Sequence, residues 1–144
     1  MGGHSCSQEI YQLAYELGQL IAKEGWILVC GGRTGVMEAV CKGAQEAKGL
    51  TVGILPSYNG KDANQYLDVK IPTGLGYARN VLVVRAAEAM IALSGKEGTL
   101  SEIAFALSEK KPVVGIETWD IKGVIKASGA KDAIAKVKAE LNVK

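Results

Sequence analysis

Glycines twice separate a short apolar run from a helical pattern, and this arrangement constrains the fold more than any other feature of the chain. Residues 31–35 follow the apolar run at residues 26–30, and residues 95–99 follow the run at residues 89–93. Neither run alternates apolar with polar residues, which is typical of parallel strands covered by helices on both faces. These segments, called here the first loop (residues 31–35) and the second loop (residues 95–99), therefore predict two strand-to-helix turns.

The spacing of apolar residues predicts that helices and strands alternate along the rest of the chain. Apolar residues at helical spacing predict five helices, at residues 5–25, 36–48, 78–87, 99–109 and 130–141. Strands are predicted at residues 26–30, 50–55, 89–93 and 112–116, with a short further strand near residues 68–71. Strands that alternate with helices imply a Rossmann-like, doubly wound parallel sheet with helices on both faces. Residues 56–76 form a long, turn-rich loop, and such loops are often functional.

Length and composition limit the classes of protein to consider. The 144 residues suit a single domain, 1–144, and 48% hydrophobic with 22% charged residues is typical of globular proteins. A net charge of +2 without a dense basic stripe argues against nucleic acid as a partner. No apolar run approaches the roughly 18–20 residues of a membrane span, and the polar start lacks the apolar core of a signal peptide. We therefore expect a cytoplasmic protein that does not interact with membranes.

Cysteine and histidine give no indication of a metal site or a disulfide framework. The three cysteines are an odd number, and none stands in a C-x-x-C or Cys/His spacing. His4 lies beside two glycines at the start of the chain, without a clear Ser or Cys partner. The sequence predicts reduced thiols and no bound metal.

The first loop has the composition of a phosphate-binding turn. It consists of Gly31, Gly32, Arg33, Thr34 and Gly35, after a buried strand and before a helix. Unpaired N–H groups and the positive end of the macrodipole attract an anion at such a helix start. Thr34 is predicted to be the N-cap, and Arg33 to add a charge-assisted hydrogen bond. The alternative is a tight turn that needs glycine for its geometry alone.

The second loop repeats the arrangement with Gly95, Lys96, Glu97, Gly98 and Thr99. In open parallel sheets, ligands bind outside the carboxyl ends of the strands, so both loops are expected at one crevice. They are predicted to hold different parts of one phosphorylated small molecule.

Two ionisable residues near these loops have competing interpretations. The spacing of Thr99 and Glu102 fits a T-x-x-E capping box, and on spacing alone the cap is favoured over a functional role for Glu102. Arg79 begins a helix, where the macrodipole disfavours a cation. It is predicted either to face an opposing carboxylate or phosphate, or to lie on the surface.

Four motifs together resemble those of a known superfamily. They are GGRTGVMEAV at residues 31–40, GILP at residues 53–56, TGLGYARN at residues 73–80 and SGKEGTLSEIAFAL at residues 94–107. They resemble the LOG-like Rossmann group, often mislabelled as lysine decarboxylases, which includes cytokinin-nucleotide phosphoribohydrolases and molybdenum cofactor carrier proteins. The chain looks most similar to the carrier branch. The resemblance implies a homodimer or higher homo-oligomer, a nucleotide monophosphate or molybdenum cofactor as ligand, and no lysine decarboxylase activity.

The resemblance also assigns roles to particular residues. The superfamily signature P-G-G-x-G-T-x-x-E corresponds to residues 94–102, and its upstream arginine corresponds to Arg79, which Asn80 follows within the same motif. If the chain is a phosphoribohydrolase, Glu102 and Arg79 are implied to act at the ribose, where a carboxylate stabilises oxocarbenium character. If it is a carrier, Arg79 and Asn80 are implied to bind the ligand together with both loops.

Departures from the signature favour the carrier branch. Ser94 replaces the proline of the signature and Lys96 replaces its second glycine. A lysine there either donates to a phosphate or fills the space that a ribose phosphate needs. The residues before Arg79 read Gly76-Tyr77-Ala78, without the histidine of the hydrolases. The leading hypothesis is therefore a binding or carrier protein, with the hydrolase as the alternative.

The start of the chain is a further departure. The superfamily opens with an apolar strand that leads into a Gly-Gly-Ser type loop, here resembled by residues 2–5, and only Met1 stands where that strand would be. Because that strand is central in a doubly wound sheet, its absence would leave two rows of backbone groups without partners. We expect a missing or truncated first strand, or a rearranged sheet edge.

Overall fold

A computed structural model describes residues 1–142 of the chain. Its helices are α1 (Gln8–Lys23), α2 (Val36–Glu46), α3 (Asn80–Ala86), α4 (Glu97–Ser108) and α5 (Ala130–Asn142), with a 3₁₀ helix at Gly76–Arg79. Its strands are β1 (Leu28–Cys30), β2 (Thr51–Leu55), β3 (Val69–Pro72), β4 (Met90–Leu93), β5 (Val113–Ile116) and β6 (Ile125–Lys126). The five predicted helices and five predicted strands are all present, with shifted ends, and β6 lies in a segment that the sequence left unassigned.

All strand pairs are parallel, and helices cover both faces. One core cluster lies among α1, α2 and α5, and a second lies against α3 and α4. The predicted Rossmann-like α/β fold is therefore confirmed. No helix of the described residues is both long enough and apolar enough to cross a membrane.

The strands form two three-stranded sheets, β1-β2-β3 and β4-β5-β6. Met1 pairs with β4: its amino group donates to the Ile91 carbonyl oxygen at 2.7 Å, and its own carbonyl oxygen accepts from the Leu93 N–H at 2.9 Å. Gly2 then forms a parallel bridge with Leu93. A cavity of about 510 Å³ is lined mostly by apolar residues, including residues of both β1 and β4. At the place of the expected first strand, Met1 and Gly2 thus pair with β4.

Helices α1 and α2 pack with their backbones in direct contact because each contributes a glycine. A Cβ atom built on Gly18 would lie well inside 3.0 Å of the Val40 carbonyl oxygen, and one on Gly43 would lie equally close to the Tyr15 carbonyl oxygen. Real Cβ atoms essentially never approach backbone so closely. These two glycines therefore set the distance between the helices.

The start of α1 differs from the prediction in one detail. The sequence suggests a capping box from Ser5 to Gln8, but Ser7 is the N-cap, and its side-chain oxygen accepts from the Ile10 N–H at 3.2 Å. The Ser5 box is wrong because α1 begins at Gln8 itself.

Candidate functional site

The start of the chain lies between the two glycine-rich loops. A Cβ atom on Gly35 would be 2.6 Å from the Gly3 carbonyl oxygen, and one on Gly3 would be 3.7 Å from the Gly95 Cα. Because β1 and β4 end at these loops, the crevice predicted at the carboxyl ends of the strands contains backbone of residues 3 and 4.

At the N-terminal end of α2, where the sequence predicts a bound phosphate, the chain's own carbonyl oxygens act as hydrogen-bond acceptors. The Val36 N–H donates to the Gly3 carbonyl oxygen at 3.0 Å, and the Thr34 hydroxyl donates to the His4 carbonyl oxygen at 2.6 Å. Gly35, with φ +67°, is the N-cap, so the assignment of Thr34 as N-cap is wrong. The Thr34 hydroxyl is instead used to fix the start of the chain.

Gly31, Gly32 and Arg33 of the first loop contact β1 and the long loop that follows β2. Gly31 and Gly32 are buried, and the Gly32 N–H donates to the Cys30 sulfur at 3.3 Å. The Arg33 Nε lies 3.7 Å from an Asp62 carboxylate oxygen. Arg33 therefore points to residues of the long loop that follows β2.

The second loop leads into a helix that no side chain caps. Helix α4 begins at Glu97 after Lys96, and Lys96 makes no side-chain capping bond. The predicted capping box is wrong, because Thr99 is the third residue of the helix and not its N-cap. Lys96 and Glu97 are exposed, and the Lys96 carbonyl oxygen accepts from the Trp119 indole N–H at 3.1 Å. Within residues 1–142, the first N–H groups of α4 therefore lack a side-chain acceptor.

Two glycines of the second loop have different roles. Gly95 has φ +97°, and a Cβ atom there would collide with the Thr99 side chain, so its conformation requires glycine. At Gly98, apart from the adjoining helix backbone, the one atom of residues 1–142 within 4 Å of a built Cβ is the Asn80 Nδ2, at 3.9 Å. The first turn of α4 therefore borders open space beside Asn80.

Arg79 is a buried connector between strand ends. Only 7% of the residue is exposed. Its Nε donates to the Ile54 carbonyl oxygen at 2.9 Å, its Nη2 to the Gly31 carbonyl oxygen at 3.4 Å, and its Nη1 to the Asn80 side-chain oxygen. Asn80 in turn donates to the Ser101 hydroxyl oxygen at 3.1 Å. The surface alternative for Arg79 is wrong, and Arg79 with Asn80 joins the first loop to α4.

Glu102 lies on the buried face of α4, within electrostatic reach of Arg79. Only 7% of the residue is exposed. Burial raises the pKa of Glu102, and the opposing charges of the Met1 amino group and Arg79 offset this only in part. Burial likewise lowers the pKa of Arg79, which Glu102 partly restores. The structure thus brings together the two residues that the signature assigns to catalysis.

The buried carboxyl group makes a pH-dependent contribution to stability. Since its pKa is higher in the folded chain than the ordinary value of 4.5, the folded state binds more protons, and stability falls as pH rises from about 4.5 through the folded pKa. The variant Glu102→Gln keeps the size and shape of the side chain but removes its negative charge. We expect the variant to melt at a higher temperature than the wild type near pH 8, with the difference shrinking towards pH 4, in thermal denaturation followed by circular dichroism.

Glu97→Gln is the matched control, since Glu97 is an exposed glutamate of the same helix. Its melting temperature should follow that of the wild type at a constant offset across the pH range. Parallel curves for Glu102→Gln and the wild type would contradict the assigned pKa shift.

The sequence missed the part that the long loop after β2 plays beside Arg79. A cavity of about 330 Å³ is lined by the predicted residues Arg33 and Arg79 and by five residues that the sequence did not indicate: Pro56, Ser57, Asp62, Gly76 and Tyr77. The long loop carries a general functional signal, but nothing in the sequence indicates that its Ser57 and Asp62 meet Arg33. That contact depends on how the loop folds back.

The cysteines are free thiols, and Cys30 and Cys41 are buried with their sulfur atoms 3.5 Å apart. Among residues 1–142, no group of three or more His, Cys, Asp or Glu side chains is placed to hold a metal ion.

Comparison with known proteins places these features in a family. The model of the SLOG cluster4 family matches residues 1–143. The molybdenum cofactor binding protein from the phototrophic bacterium Rippkaea orientalis is similar in structure, with a TM-score of 0.90 and 40% identity, covering 98% of this chain and 93% of that one. The molybdenum cofactor carrier protein from Chlamydomonas reinhardtii gives a TM-score of 0.88 and 37% identity, covering 99% and 94%.

A curated relative carries a different name. The cytokinin riboside 5′-monophosphate phosphoribohydrolase of Mycobacterium tuberculosis is 34% identical over 121 residues, which are 77% of this chain and 64% of that protein. The chain thus spans less than two thirds of this relative, whereas it covers nearly all of the two solved structures. On the match of the family model, the chain belongs to the SLOG cluster4 family of the LOG-like superfamily, on the branch of the molybdenum cofactor carrier proteins.

Proposed function

We propose that the chain is a carrier that binds a phosphate-bearing pterin cofactor of the molybdenum cofactor type, with the phosphate at the second loop. The observation that carries this is the uncapped start of α4, where Gly98 borders open space and Lys96 adds a cation. Free N–H groups and the macrodipole favour an anion at a helix start, and a lysine supplies a charge-assisted hydrogen bond. The ligand set is Gly95, Lys96, Glu97, Gly98 and Thr99, with Arg79 and Asn80 beside it.

The first loop has a supporting role in this proposal. Because the Gly3 carbonyl oxygen already accepts from the Val36 N–H, the first N–H of α2, and the His4 carbonyl oxygen from the Thr34 hydroxyl just before it, the phosphate is assigned to the start of α4 and not to that of α2. Gly31, Gly32, Thr34 and Gly35 shape the wall of the site, and Arg33 faces the cavity that it shares with Arg79.

The carrier proposal predicts cofactor retention that depends on Lys96. The chain would be incubated anaerobically with cofactor released from a molybdenum enzyme and passed through a desalting column. Molybdenum and oxidised pterin would then be measured in the protein fraction. We expect stoichiometric retention by the wild type and an affinity about tenfold lower for Lys96→Gln, since a hydrogen bond to a charged group contributes ~1.5 kcal/mol or more.

Lys61→Gln is the control, because Lys61 is an exposed lysine outside the second loop. It should retain cofactor as the wild type does. A wild-type fraction free of both molybdenum and pterin would overturn the carrier proposal.

The alternative function is a nucleoside 5′-monophosphate phosphoribohydrolase, and the pairing of Glu102 with Arg79 favours it. A largely buried carboxyl group near an arginine is able to stabilise a developing oxocarbenium ion once it is ionised. Release of adenine from AMP, measured by chromatography for the wild type and Glu102→Ala, tests this function. Equal inertness of both proteins across the common monophosphates would exclude it.

We further propose that the chain acts as a single domain in a cytoplasmic homo-oligomer. Leu82 on α3 and Phe105 on α4 are exposed apolar side chains on two helices that pack against each other. A solution mass from light scattering tests the assembly, and a monomer at all concentrations would contradict it.

A further inference from the structure

The 330 Å³ cavity beside Arg79 has the features of a second ligand subsite. It lies where residues 56–62 and 76–79 approach the first loop, and the side chains that matter most are Arg33, Ser57, Asp62 and Tyr77. The proposed phosphate position lies beside Asn80, whose amide nitrogen is 3.9 Å from a Cβ built on Gly98. Arg79 lines the cavity and donates to the Asn80 side-chain oxygen, so the two places are joined by neighbouring side chains and one molecule is able to reach both.

Asp62 is a fixed hydrogen-bond acceptor on this cavity. The Ser57 hydroxyl donates to one carboxylate oxygen at 2.5 Å and itself accepts from the Gly60 N–H at 3.0 Å. The other carboxylate oxygen is 3.7 Å from the Arg33 Nε, which is too long for a hydrogen bond. The side chain is 29% exposed. Asp62 is therefore held in place with an oxygen available to a ligand.

Tyr77 supplies an aromatic surface at the same cavity. It is 82% exposed, although the segment before it is held by hydrogen bonds. The Gly76 N–H donates to the Pro56 carbonyl oxygen at 3.0 Å, and the Gly74 N–H donates to the Ser57 carbonyl oxygen at 2.9 Å. A large aromatic ring exposed on such a hydrogen-bonded segment suits stacking against a planar ligand. The planar guanidinium of Arg33 is able to stack in the same way.

We infer that this cavity binds the heterocycle of the ligand and that Asp62 selects rings with a ring N–H next to an exocyclic amino group, as in pterins and guanine. A carboxylate accepts two hydrogen bonds in parallel from two adjacent donors, one at each oxygen, and the oxygen that accepts from Ser57 has a second lone pair for a ligand donor. Hypoxanthine offers only the ring N–H, and adenine lacks that pair of donors. The inference rests on the proposed function, since the phosphate at the second loop fixes where the ring lies.

The competing interpretation is a second anion site, because two arginines line the cavity. Arg79 is already committed to the Ile54 and Gly31 carbonyl oxygens and to Asn80. An anion beside Asp62 would also meet its negative charge. The observations therefore favour a neutral ring with hydrogen-bond donors.

GMP and IMP test the inference because they differ only in the 2-amino group. Their affinities for the wild type and Asp62→Asn would be measured by isothermal titration calorimetry. We expect the wild type to bind GMP at least about tenfold more tightly than IMP, as a hydrogen bond to a charged acceptor contributes this much. Asp62→Asn should lose the preference, and Ser57→Ala should reduce it by freeing the carboxylate. Lys61→Gln, next to Asp62, should keep it.

The outcomes separate the two proposals. Equal affinities of the wild type for GMP and IMP overturn the ring inference and leave the phosphate site standing, and tighter binding of both nucleotides by Asp62→Asn would identify an anion site instead. Absence of binding by either nucleotide overturns the inference together with the phosphate site at the second loop. A preference for GMP that persists in Asp62→Asn shows that another residue selects the ring.

Discussion

Gly98→Leu is expected to lower ligand affinity by at least about a hundredfold without lowering the stability of the chain. A leucine side chain would project from the first turn of α4 into the space that borders Asn80, where a built Cβ meets nothing closer than 3.9 Å. It would occupy the proposed phosphate position while keeping the helix, in which leucine is favoured over glycine by roughly 0.5–1 kcal/mol. Cofactor retention and thermal denaturation of the same preparation measure the two effects.

Two controls make the result specific to this position. Ala104→Leu places the same leucine side chain at an exposed position of α4, and its ligand affinity should match that of the wild type. Gly98→Ala should raise stability slightly and weaken binding far less than leucine does. If Gly98→Leu retains full affinity, the phosphate does not bind at the start of α4, and the carrier geometry proposed above is wrong.

Gly43→Ala is expected to destabilise the chain by about 3 kcal/mol, at the upper end of the range for overpacked cores. Its Cβ atom would press on the Tyr15 carbonyl oxygen of α1, and a helix backbone cannot move aside as a flexible side chain can. For a domain of this size, where 1 kcal/mol corresponds to roughly 2–4 °C, the melting temperature should fall by about 10 °C. Differential scanning calorimetry is the measurement.

Gly98→Ala is the matched control, because Gly98 is also a helical glycine but has open space where the new Cβ would lie. Its melting temperature should not fall. Gly18→Ala, which addresses the same contact from α1 against the Val40 carbonyl oxygen, should reproduce the loss. Melting temperatures within two degrees of the wild type for both contact variants would show that α1 and α2 separate without cost, contrary to the packing described.

The sequence predicted the fold well because the signals are local to each element. Helical spacing and buried apolar runs recur along the chain, and glycines mark the turns after β1 and β4. The caps were predicted less well, because a cap depends on which group reaches the helix end. Thr34 has the side chain of an N-cap, yet its hydroxyl donates to His4, thirty residues earlier. No spacing rule detects a contact of that kind.

The residues of the candidate site also fall into two groups, those that the sequence indicated and those that it did not. Arg79 and Glu102 were indicated by a signature, and the structure brings them within electrostatic reach. Asp62, Ser57 and Tyr77 were not indicated, because they come from an irregular segment whose position depends on backbone hydrogen bonds between residues 56–57 and 74–76. Such bonds leave no periodic pattern in the side chains.

The backbone of residues 3 and 4 is a shared wall between the two loops. The Gly3 and His4 carbonyl oxygens accept from the Val36 N–H and the Thr34 hydroxyl, while a Cβ built on Gly3 would lie 3.7 Å from the Gly95 Cα. A larger residue at position 3 would therefore press on the second loop and on the hydrogen bonds at the start of α2 at the same time. The geometry of both loops depends on the short segment that lies between them.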